Sequence, residues 1–244
     1  MFAIRTTLAT FILLILGATY AQESTMVLHD EKSTDLISEL RKQKREELKA
    51  QNYPPDSDHG ATYRQLTNYL IRLVNKEHLV NDKEINELVY AINDRLVASN
   101  PEIRKIKKIL IHRNGFQNAA SYGEGTITLN LGLIACAKSE EELAFTIAHE
   151  IAHYHLDHLR DNIQRFVSKK STAHVMKRIR KIPTGNISVE DLEFVQSWFG
   201  YLLNHSQESE LEADVIAMRM MKNCGYKDET FKFFTNRGNV LPSG

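Results

Sequence analysis

A chain of 244 residues with 42% apolar side chains carries enough hydrophobic mass for one globular domain with additional helices, without a disulfide framework to hold it. Its 31 basic and 31 acidic residues cancel, and no basic run is present to track a phosphate backbone, which excludes nucleic acid as a partner. The two cysteines, Cys136 and Cys224, sit in small-residue settings that suit either one disulfide or two packed thiols.

In chain order, the first element is MFAIRTTLATFILLILGATYAQ, with Arg5, an apolar run from Leu8 to Ala18, and small residues ending at Ala21. This is the layout of a secretory signal over residues 1–21, cleaved after Ala21. The apolar run of about 11 residues falls short of the roughly 20 that cross a membrane. The expected product is exported, periplasmic or extracellular, with peripheral membrane association and oligomeric state left open.

From Glu31 to Gln51 the Lys-, Glu- and Arg-rich sequence predicts a polar helix on the outside of the molecule, stopped at Asn52-Tyr53-Pro54-Pro55. Residues 61–75 and 84–98 repeat apolar side chains at i, i+3, i+4 and i+7, predicting two amphipathic helices. These make up an N-terminal helical region over 22–100, ahead of a core over 101–244. The period then changes. Ile109, Leu110 and Ile111 predict a strand, and Thr126, Ile127, Thr128, Leu129 and Asn130 a second, joined by a glycine-bearing loop. The alternation in the second strand predicts that one of its faces meets solvent.

From Leu131 helical signals dominate. Ser139 followed by Glu142 is a capping box, so a helix is expected to begin near Glu140 and to bury Leu143, Ile147 and Ile151. It carries His149-Glu150-Ile151-Ala152-His153. Histidines four apart on a helix stack on one face, and their nitrogens can share one metal ion. Glu150, turned about 100° from His149, is poorly placed as a ligand but can hold a water beside the ion and act as a base.

A third ligand has to come from elsewhere. The metzincin spacing fails, because Leu156 and Leu159 stand where glycine and histidine belong. His155 lies about 200° around the helix from His153, and His158 reads as a neighbouring polar contact. Downstream, Glu208, Glu210, Glu212 and Asp214 lie on a helix whose apolar stripe includes Leu211, Val215 and Met218. Glu210 with Asp214 and Glu208 with Glu212 are each one turn apart. Helical spacing alone leans only modestly toward the first pair.

The run HEIAHYHLDH preceded by SEEELAFTIA, the later ESELEADVIAMRMMKNCGY, and the stretch from Asn118 to Ile134 resemble the zinc peptidase family of the CAAX prenyl proteases, the HtpX-type heat-shock proteases and their soluble periplasmic relatives. The likeness spans about residues 100–226. It implies an α+β, mostly helical fold of the zincin (gluzincin) type, with a small edge-strand sheet packed on the HExxH helix. It also implies one Zn²⁺ held by His149, His153 and Glu210, with Asp214 orienting a ligand histidine and Glu150 as general base. Thr126 to Asn130 would be an edge strand on which a substrate peptide lies extended. The function implied is a metalloendopeptidase acting on exported or misfolded proteins. The alternative is a zinc-binding, non-hydrolytic chaperone-like or adaptor module.

One feature departs from the family pattern. Soluble relatives usually continue into a His-Pro element near the active site, whereas here no histidine follows His205. The group that stabilises the developing oxyanion then has to be found elsewhere, with Arg219, Tyr226 and Arg237 as candidates.

Overall fold

The computed structural model describes residues 30–227; the expected signal segment and Arg237 lie outside them. Three helices come first: α1 (Asp30–Ala50), α2 (Asp58–Asn75) and α3 (Lys83–Ala98). Ser57 and Asp82 cap α2 and α3, their side chains accepting from the N–H groups of Gly60 and Ile85. Strands β1 (Lys108–His112), β2 (Ala119–Tyr122) and β3 (Thr126–Asn130) follow, then α4 (Leu131–Cys136), α5 (Glu140–His155), α6 (His158–Val167), α7 (Ala173–Lys181), α8 (Val189–Leu203) and α9 (Gln207–Asn223). Among the described residues no helix is long and apolar enough to cross a membrane. Cys136 and Cys224 are free thiols.

The sheet has the order β1-β3-β2, with β1 parallel and β2 antiparallel to β3. This corrects the reading of Thr126–Asn130 as an edge. These five residues form the central strand, buried along its whole length. The alternation misled because the polar face meets polar protein partners in place of water. Thr126 Oγ1 donates to Gln43 Oε1 of α1 at 3.1 Å, and Thr128 and Asn130 bond to the side chains of Tyr122 and His112.

The edges are β1 and β2, and they differ. Beyond β1, Val80 N–H donates to Ile111 O at 2.8 Å, and the Tyr90 hydroxyl bonds both the N–H and the C=O of Ile109. No such cover is found for β2 among the described residues. In the turn between β2 and β3, Gly125 takes φ +94°, and a Cβ there would stand 2.9 Å from the Tyr154 hydroxyl.

Two apolar clusters flank the sheet. One joins α1, α2, α6, α7 and α8 through residues such as Leu40, Leu66, Ile163, Ile179 and Trp198. The other holds α5 between the sheet and α9 through Ile127, Leu129, Ile147, Ile151 and Met220. Ala148, Ala152, Ala213 and Ala217 are fully buried on α5 and α9. Such small side chains let two helices approach closely, and this contact brings α9 within reach of the histidines.

Candidate functional site

Ser139 caps α5 by accepting from Glu142 N–H, and the Glu142 carboxylate accepts from Lys138 N–H at 2.8 Å. The helix fixed in this way carries His149, Glu150 and His153 under β2. A cavity of about 430 Å³ opens there, lined by Asn118 to Ser121 on one side and by His149, Glu150, His153, His205 and Glu210 on the other.

His149 Nε2 and His153 Nε2 stand 2.9 Å apart. The two oxygens of Glu210, from α9, lie 3.3 Å from the first and 3.6 Å from the second. Three ligands at 2.0–2.1 Å from a tetrahedral ion stand about 3.3–3.4 Å from one another, so the spacing fits a single small divalent cation. The hydrogen bonding fits as well. Asp214 Oδ1 lies 2.9 Å from His149 Nδ1; a carboxylate only accepts, so Nδ1 carries a proton and Nε2 is the nitrogen left to face an ion in the site. For His153 the same result arrives through an intermediary. Glu212 Oε2 accepts from His158 Nε2 at 3.2 Å, and His158 Nδ1 then accepts from His153 Nδ1 at 2.8 Å. Two imidazole nitrogens 2.9 Å apart beside a carboxylate are satisfied by a shared proton or by a metal cation held between them.

The electrostatics agree. Burial works against charge on His149, but hydrogen bonds to Asp214 and Glu210 outweigh it and raise its pKa to about 10. His153, pressed by burial and by the neighbouring His205, His149 and His158, falls to about 2. The His149 contact holds the Glu210 carboxyl below its ordinary range. Glu150 is pushed up to about 7, chiefly by burial; His149 and a hydrogen bond from the Ser121 backbone oppose the shift, and Glu210 adds to it.

The helix ends where it does for a reason. On an unbroken helix a residue five positions on stands about 140° away, and His158 could not meet His153. The chain turns instead at Asp157, in the left-handed region at φ 58°. Arg104 braces this turn, bonding Asp157 and Glu47 of α1 at 2.8 Å each, with its guanidinium over the Tyr154 ring. His155 faces out of the site and accepts from Arg104 N–H.

The edge over the site can be read atom by atom. Asn130 N–H donates to Asn118 O and Gly125 N–H to Tyr122 O, so these carbonyls, and by the two-residue period that of Ala120, face β3. The peptide groups of Ala119 and Ser121 face outward, and Ser121 N–H meets Glu150. The strand beside the HExxH helix is therefore β2. Sequence reasoning missed it because Ala-Ala-Ser-Tyr is short, with little β-branched or aromatic character.

It also missed His205. This ring stacks on His153 with centroids 4.0 Å apart and lines the cavity. Asn162 fixes its tautomer: the amide oxygen accepts from Arg165, and the amide nitrogen donates to Leu202 O at 2.9 Å and to His205 Nδ1 at 3.2 Å. Burial, with His158 and His149 nearby and Glu210 opposing, lowers its pKa to about 4. The ring is neutral near pH 7 and bears its proton on Nε2. With Nδ1 of His205 and both nitrogens of His158 engaged, the cluster His153, His158 and His205 is a hydrogen-bonded surround of the first site. Of the oxyanion candidates, Tyr226 donates to Glu140 at the far end of α5, and Arg219 is exposed nine residues beyond Glu210 on α9, about 13 Å along the helix.

Comparison with known proteins accords with this geometry. Residues 81–240 match the profile of the family described as Peptidase family M48. A putative beta-barrel assembly-enhancing protease of Vibrio cholerae serotype O1 is 28% identical over 174 residues, 68% of this chain and 36% of that protein. The beta-barrel assembly-enhancing protease of Escherichia coli K12 is 21% identical over 178 residues, 71% and 37% of the respective chains. The chain thus spans little more than a third of the length of these relatives.

Proposed function

Since the chain belongs to peptidase family M48, we propose that it is a zinc-dependent endopeptidase in which His149, His153 and Glu210 hold the ion and Glu150 is the general base. The observation that supports this most directly is the convergence of those three ligands, at coordinating separations, beneath an open strand edge.

The bound ion would supply a Lewis acid that polarises the scissile carbonyl and acidifies water toward a pKa of about 7. Every other step belongs to the chain. The outward peptide groups of Ala119 and Ser121 hold the substrate backbone extended along β2. Glu150, with its pKa near 7, takes the proton of the attacking water and passes it to the leaving amide nitrogen as the C–N bond breaks. His205 donates its Nε2–H to the carbonyl oxygen as negative charge develops there. Asp214, and Glu212 through His158, keep both ligand rings in the tautomer the ion requires.

The substrate class that follows is exported or misfolded protein, because an unfolded chain has free peptide groups to offer the edge. By likeness to the relatives named above, precursors of β-barrel proteins are the first to test. The experiment is digestion of casein and of an unfolded β-barrel protein by wild type and by Glu150→Gln, with and without 1,10-phenanthroline, alongside zinc analysis. Cleavage that the chelator abolishes and the variant loses by at least 10²-fold, with zinc retained, is the expected outcome. Zinc-loaded wild type as inactive as the variant would favour the non-hydrolytic module.

A further inference from the structure

Helix α1 sorts its charges. Glu39 is paired with Lys108, the first residue of β1, and Glu46 and Glu47 with Lys107 and Arg104 of the segment leading into that strand. Lys42 also pairs with Glu46, but three other cations of the helix line a groove of about 520 Å³ between α1, the turn after it and the start of α2. Lys44, Arg45 and Lys49 line that groove together with Arg64 of α2, and no carboxylate does. None of the four forms an ion pair among the described residues. Lys44 is held below its ordinary pKa by burial and then by repulsion from Arg64, Arg45 and Arg41, which the nearby Glu124 only partly offsets. In a chain whose formal charge is zero, four unpaired cations around one cavity are a local cost that an anion would relieve.

The floor between them is apolar, built from Leu48, Tyr53 and Pro55. This decides what kind of anion fits. An acidic peptide would bring N–H and C=O groups that need partners, and the floor has few to give. An acyl chain brings none. The volume lies within the range of small-molecule sites, roughly 300–1,000 Å³.

We propose that this groove is a binding site for an anionic lipid, its head group held by the four cations and its acyl chain lying on Leu48, Tyr53 and Pro55. The site is separate from the metal centre and does not depend on peptidase activity.

Isothermal titration of the full chain with dodecyl phosphate, below its critical micelle concentration, tests this against inorganic phosphate, dodecyl maltoside and a polyglutamate peptide. The expected result is one-to-one binding of dodecyl phosphate at least tenfold tighter than any of the three. The double variant Arg45→Gln/Arg64→Gln weakens that binding at least tenfold, while its Tm stays level or rises because like charges have been removed. Phosphatidylglycerol vesicles should co-float with wild type and release the variant. No binding of dodecyl phosphate, as when another segment of the chain fills the groove, overturns the proposal. So does equal binding of dodecyl maltoside or polyglutamate, or a variant that binds like wild type.

Discussion

Glu124, in the turn that joins β2 to β3, is fully buried with neither carboxylate oxygen hydrogen-bonded to another side chain or main-chain partner in the described structure. Burial, reinforced by the Glu47 charge and only partly offset by its own backbone, Lys107 and Lys44, moves its pKa from 4.5 to about 7. Below pH 4.5 the group is protonated whether the chain is folded or not, and folding is unaffected. Between 4.5 and 7 the folded state keeps a proton that the unfolded state gives up, so stability falls as pH rises. Above about 7 the cost is complete, about 3 kcal/mol at 1.36 kcal/mol per pH unit. Glu124→Gln removes that dependence. Urea unfolding of wild type and variant should show the variant gaining about 2–3 kcal/mol relative to wild type between pH 5 and pH 8, a shift of roughly 5–10 °C in Tm for a chain of this size. The comparison cancels every other titrating group. Parallel stability curves for the two proteins would refute the assignment of a protonated, buried carboxyl to this turn.

Three further outcomes are expected. Glu212→Ala should weaken zinc binding about 10–100-fold, read by competition with a chromogenic chelator, while Glu208→Ala, on an exposed residue of the same helix, leaves it unchanged. His205→Asn should lower kcat by about 10²–10³ with KM and zinc content little altered, and ¹⁵N spectra of wild type should place the His205 proton on Nε2. Ala119→Pro removes an outward N–H without touching the pairing to β3, and one such bond is worth about 0.5–1.5 kcal/mol; KM for peptide substrates should rise about 2–10-fold with kcat held.

What could be read from the sequence was what is local. A capping box, an apolar stripe and two histidines one turn apart define α5 and two candidate ligand positions without reference to the rest of the chain. Glu210 and Asp214 could be named from a resemblance, but helical spacing could not separate them from Glu208 and Glu212, because which carboxylate reaches which ring depends on how α9 crosses α5. Glu212 shows the difficulty: it reads as solvated surface and is bonded to His158. β2 had no readable signal, since four small or weakly strand-forming residues become a strand only by pairing with β3. The polar positions of β3 read as solvent-facing because nothing in a period of two reveals that Gln43, eighty-three residues earlier, covers Thr126.

Among the described residues the one uncovered strand edge, that of β2, lies over the HExxH helix, while the opposite margin of the sheet is closed by Val80 and Tyr90. What that edge can recognise is peptide geometry, which every polypeptide shares. A client that has already committed its amides to its own helices and sheets has nothing to dock with, whatever its side chains; one that has failed to do so presents itself anywhere along its length. If the proposed peptidase docks its substrates there, selection would fall on folding status, and nearby unfinished chains would compete for the edge in proportion to how long they stay unfinished.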